Sequence, residues 1–167
     1  MKRFIVAAAF LLLNIFMESI VFVRLNLWGT RPDSVVAVVT AISIVSGAWA
    51  GTAYAIAAGL LLDLLFGQYM GLMSLIYMVP AIAAGLFYRR FYADNRLFPC
   101  IVAGGLYIAK ELLFIVFLLI MRIEFNYFGI IWRYLIPSAL LTSLITYPVH
   151  GIYRRLDQGQ VYRERYR

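Results

Sequence analysis

Apolar runs separated by short polar breaks set the organisation of this chain. After a basic start (Met1, Lys2, Arg3), residues 4–23 are almost wholly apolar. That is about the 20 residues a helix needs to cross a bilayer core of about 30 Å. The run has the outline of a signal peptide, but its length and the lack of an Ala-x-Ala-like site between Glu18 and Arg24 favour a retained first span. A polar stretch follows at residues 24–33 (RLNLWGTRPD), where Asp33-Ser34 is suited to cap the next helix. Residues 34–66 are then apolar for 33 residues. As one helix they would measure about 50 Å at 1.5 Å per residue, too long for one crossing. A break is therefore expected within GAWAGT (residues 47–52), giving spans of about 34–48 and 52–66. The turn GQYMG (residues 67–71) leads to a span at 72–88 that contains Pro80. A basic loop (RRFYADNR, 89–96), a span at 97–121, a short turn (RIEFN, 122–126) and a last span at 127–152 complete the pattern. The remainder, RRLDQGQVYRERYR (residues 154–167), is polar, basic and expected to be partly disordered.

These elements define an all-α polytopic membrane protein with six transmembrane helices. Residues 1–153 form one transmembrane domain and residues 154–167 a basic cytoplasmic tail. Composition agrees. The chain is 64% hydrophobic and only 14% charged, with a mean hydropathy of +0.87, whereas a soluble domain carries about 25% charged residues. No second, soluble domain fits in the remaining length.

The net charge of +7 is informative only once it is located. Most basic residues flank the apolar runs, and no basic face for a nucleic acid can be drawn. Ten Lys/Arg lie at the two termini and in the 89–96 loop, against three (Arg24, Arg31 and Arg122) in the opposite loops. By the positive-inside rule both termini are cytoplasmic. The single Cys100 excludes an internal disulfide and a cysteine-rich metal site. The single His150, near the end of the last run, is expected at an interface or a cap.

The densest candidate chemistry lies between Gly47 and Gly71. Small residues recur every fourth position (Gly47, Gly51, Ala55, Gly59, Gly67, Gly71), and Asp63 interrupts the series. Small residues four apart let helices approach closely in lipid. A carboxylate at membrane depth marks a buried pairing or a functional contact. Gly85 adds a small contact residue on the next span. These glycines and Asp63 serve either the protein's own helix packing or a partner helix. Lys110 and Glu111 interrupt the 97–121 run. Neighbours on a helix point about 100° apart, so the two need not pair with each other. Lys110 with Asp63 is the preferred buried pair, with snorkelling of Lys110 to an interface as the alternative. Glu18, four residues after Asn14, belongs to an inward polar stripe. There is no phosphate-binding loop, no H-E-x-x-H and no G-x-S-x-G. No cofactor or metal is expected and an enzyme is not indicated.

At GLLLDLLFGQYMG (Gly59, Asp63, Gly67, Gly71), followed by SLIYMVPAIAAGLFYRR, the chain resembles the rod shape-determining protein MreD family of bacteria. The basic start, the apolar layout and the short basic tail fit as well. The resemblance implies a non-enzymatic component of the cytoplasmic (inner) membrane, working in lateral peptidoglycan synthesis. Its implied partners are the bitopic protein MreC, the MreB filament, RodA and a class B penicillin-binding transpeptidase. The family is also similar in expected fold to the six-span substrate-binding subunits of energy-coupling-factor transporters. That similarity implies the alternative, a small-molecule (vitamin) binding subunit with its ligand near the outer face around Asp63.

Overall fold

The structure, a computed structural model, describes Leu11, residues 14–16, Thr30 and residues 32–66, 71–88, 97–122 and 134–165, with side chains as far as Arg154. Within these residues the chain is helical: α1 (Ser34–Ser46), α2 (Ala48–Phe66), α3 (Leu72–Gly85), α4 (Phe98–Ile120) and α5 (Ile136–Arg165). Residues 14–16 are helical too. Gly67 and Glu18 lie outside the described residues.

Helix α1 is the centre of the bundle. Eight of its 13 residues are β-branched, a composition that favours strands in water. It is helical because a segment shut away from water must satisfy its backbone internally. Every residue from Ser34 to Val45 is buried, and α1 touches all four of the other helices. A helix apolar all round belongs in such a place. Asp33 starts it as N-cap, its carboxylate accepting from the Val36 amide at 2.9 Å. Gly47 ends it with φ of +94°, its N–H donating to the Ser43 carbonyl at 3.0 Å. Only glycine adopts that backbone at little cost, so the 34–66 run breaks at this single residue.

Helices α2 and α3 pack antiparallel. Ala48 lies against Gly85, Gly59 against Ser74, and Asp63 reaches Gly71. At Gly59 a Cβ would run into the Ser74 backbone, and at Gly85 into the Ala48 backbone. These two glycines are therefore filled by the protein's own helices. Helix α4 runs antiparallel to α5, with Gly104 seated on Ser143. Helix α5 runs parallel to α1. The Asp33 amide donates to Thr142 Oγ1 at 3.0 Å at one end, and the Ser46 and Tyr153 hydroxyls lie 3.0 Å apart at the other.

Helix α5 continues to Arg165, where the sequence pattern suggests an end near 152 and an irregular tail. The tail carries Arg and Gln, both good helix formers, and it extends a helix already formed. From the sequence, His150 is expected at an interface or a cap. It is buried on α5, with its Nδ1 unpartnered among the described residues.

The outer surface is apolar. Leu64, Leu75, Ile101, Leu140 and Leu144 are each more than half exposed. Helices α2 and α4, of 19 and 23 residues, are long and apolar enough to cross a membrane, while α1 and α3 are shorter apolar helices. So continuous an apolar exterior has no place in water.

Replacing Gly59 by leucine is expected to destabilise the bundle by about 1–3 kcal/mol, because the new side chain meets backbone rather than a yielding side chain. Thermal unfolding in mild detergent measures it. Gly105→Leu serves as the control, since a Cβ there meets no atom within 4 Å, and it should leave the midpoint unchanged or raise it.

Candidate functional site

Among the described residues, Asp33, Lys110 and Glu111 gather at the amino end of α1. Asp33 is buried there because the helix it caps is buried. Its Oδ1 is taken by the Val36 amide, while its Oδ2 accepts from the Tyr77 hydroxyl at 2.9 Å and from the Lys110 ammonium at 3.0 Å. Lys110 projects from the middle of α4 and also pairs with Glu111 Oε1 at 2.6 Å. The ammonium stands 5.4 Å from the Tyr77 ring centre and 5.2 Å from that of Tyr107. Two tyrosine faces and two carboxylates thus surround one cation, an arrangement favoured where water is scarce. Nearby, Asn14 Nδ2 donates to the Ser34 carbonyl at 3.1 Å, and Ser34 Oγ to Asn14 Oδ1 at 3.3 Å. This ties the first apolar segment to the start of α1.

The expected Lys110–Asp63 pair is not formed. Lys110 is engaged by Asp33 and Glu111. Asp63 is buried near the end of α2 and turns to the backbone instead. Its carboxylate accepts from the Gly71 amide at 2.9 Å and the Met73 amide at 3.2 Å. These amides belong to the α3 entry, where Gly71 has φ of +91° and no side chain of its own to cap the helix. A carboxylate from the preceding helix fills that role, satisfying amides that would otherwise be left open. Lys110 and Glu111 do pair, although they are neighbours in sequence. The long lysine side chain reaches a point between Asp33 and the adjacent glutamate.

Sequence reasoning missed Asp33 as a charge partner, along with Tyr77, Tyr107 and Thr142. Asp33 was readable as a cap, and the missing step was depth. A cap on a helix that is apolar on every side is itself buried and needs a counter-charge. Chemically the cluster is an ion network centred on one ammonium. Asp33 has each oxygen engaged, and its partners lie on α1, α3 and α4. Among the described residues no three His, Cys, Asp or Glu side chains are grouped as a metal would require.

An apolar exterior with charges turned inward defines a helical membrane protein whose polar groups bind its own helices together. Within that class, the chain belongs to the rod shape-determining protein MreD family, whose model matches residues 1–156. It is a rod-shape-determining membrane protein. No curated protein sequence and no solved structure matches it.

Lys110→Met should cost about 3–5 kcal/mol, since it strands the buried Asp33 carboxylate. The double variant D33N/K110M should regain part of that loss, because the amide side chain introduced by D33N still caps α1 and carries no charge. Melting temperatures of the two in detergent decide it, and a double variant no more stable than K110M would refute the pairing. Separately, Asp63→Leu should cost about 1–2 kcal/mol as a lost cap, and Asp63→Asn clearly less. The same melts read both.

Proposed function

We propose that this chain is a non-enzymatic scaffold subunit of the cell-elongation complex in the bacterial cytoplasmic membrane. In this reading it binds an MreC-like bitopic protein and supports lateral peptidoglycan synthesis alongside MreB, RodA and a class B penicillin-binding transpeptidase. The family match over residues 1–156 carries the proposal. The chemistry of the interior supports it. Asp33, Lys110 and Asp63 are each spent on holding helices together, which suits a structural part better than a catalytic one.

The accompanying topology has six spans. Helices α1–α5 supply five, and residues 4–23 the first. Both termini face the cytoplasm, and residues 154–167 form a basic cytoplasmic segment whose residues 154–165 continue α5. The carboxylate of Asp63, which would line a vitamin pocket in the transporter alternative, is occupied by the α3 entry amides.

The test is removal and recovery in the native host. Depletion should turn rods into rounded cells, and the tagged chain, solubilised in mild detergent, should bring down MreC-like and wall-synthesis proteins. Recovery of ATP-binding coupling subunits, or of a vitamin in stoichiometric amount, would overturn the scaffold reading.

A further inference from the structure

Helix α4 is the least covered of the long apolar helices. Only 17% of its most apolar stretch is buried, against 39% for α2. Its inner side carries Gly104, seated on Ser143, and Lys110, locked to Asp33. Its outer side carries Ile101, Gly105, Leu112, Val116 and Leu119, all exposed, while Ile108 packs against the core. Ile101, Leu112, Val116 and Leu119 are 72%, 47%, 50% and 52% exposed. These positions fall at intervals of four, seven, four and three, the spacing that keeps one stripe of a helix against a second helix. Gly105 lies in the stripe with nothing within 4 Å of where its Cβ would be. By contrast Gly51, Gly59, Gly85 and Gly104 are all filled from within the bundle. An unfilled glycine weakens a helix and leaves a notch for close approach.

Charge says what should come to that stripe. Two carboxylates, Asp33 and Glu111, share the single ammonium of Lys110. Asp33 is fully engaged and buried. Glu111 is held through one oxygen, with its side chain 24% exposed, and among the described residues no second basic group pairs with it. It stands next to Leu112, at the edge of the stripe, where charged residues of paired helices select their partner. A partly exposed carboxylate in the middle of a 23-residue apolar helix, paired through one oxygen, offers its other oxygen to an approaching cation.

We propose that the outward face of α4 receives a membrane-spanning helix of another protein, and that this helix brings a lysine or arginine to Glu111. The inference deepens the scaffold reading and rests on it for the existence of a membrane-embedded partner. It names the face and the chemistry of contact.

The experiment places a photo-crosslinking amino acid at Leu112 in the full chain, in its native membrane, with Leu144 on α5 as the reference position. Mass spectrometry identifies the attached peptide. From Leu112 the expected peptide comes from an apolar, membrane-spanning segment of another protein, with Lys or Arg within about one turn of the attachment point. Glu111→Gln, which still accepts from Lys110, should cut the yield about fivefold, in line with polar contacts between membrane helices. Glu111→Asp should preserve it. Gly105→Leu leaves the ion cluster intact and should also lower it, which covers the case in which Glu111→Gln fails to accumulate. Attachment to lipid alone or to a second copy of this chain, a partner segment without a basic residue, or a yield indifferent to both Glu111→Gln and Gly105→Leu would overturn the proposal. If wall-synthesis proteins still co-purify in any of these cases, the face is wrong and the scaffold stands. If a helix with the predicted lysine or arginine is found in a protein unconnected with wall synthesis, the face stands and the scaffold reading falls.

Discussion

The first turn of α1 presents backbone amides in a place where water cannot serve them. Asp33 answers with a carboxylate, which brings a charge to the same depth, and that charge must be balanced in turn. Lys110 balances it from α4, Tyr77 from α3 adds a hydroxyl, and Thr142 on α5 takes the Asp33 amide. One capping requirement thus recruits three other helices to a single point. Ion pairs of this kind contribute little net stability when compared with apolar packing, but they make wrong arrangements costly. In a bundle whose helices are all apolar, and so offer few other reasons to choose one neighbour over another, this cluster specifies which helices meet and at what height.

What could be read from the sequence follows the range of the interaction. A break within residues 47–52 and the Asp33 cap are local, and both were legible: a 33-residue apolar run is too long for one crossing, and an aspartate before it is a cap. That the break is the single residue Gly47, with α2 resuming at Ala48 rather than at 52, was not. The role of Asp63 at the α3 entry spans only eight to ten residues, yet it was obscured because a buried acid suggests a buried base. The Lys110–Asp33 pair joins residues 77 apart, and nothing in spacing distinguishes Asp33 from Asp63 as the mate. The misleading signal was position within a run. Asp63 sits inside apolar sequence and looks deep, whereas Asp33 ends a polar loop and looks shallow. Depth is set by where α1 lies in the bundle, which only the fold reveals. The helical course of residues 154–165 was likewise hidden, since polarity reads as tail even when the helix before it is already built.

Glycines divide the surfaces of the bundle into used and unused. Those at 59 and 85 let α2 and α3 approach to backbone contact, and Gly104 does the same for α4 and α5. Of the small residues singled out in the sequence, Gly59 and Gly85 are taken up by internal packing, and the Asp63 carboxylate is turned to the α3 entry. The outer side of α4 is the apolar face that the protein's own packing leaves most open.

Helices α1 and α5 are pinned together near both ends of α1, at Asp33–Thr142 and at Ser46–Tyr153. Neither can slide along the other by a turn without losing both pins. The two helices therefore hold one register over the length of α1. Pro148 falls between the two pins, so any bend that proline puts into α5 is bounded on both sides by a contact to α1.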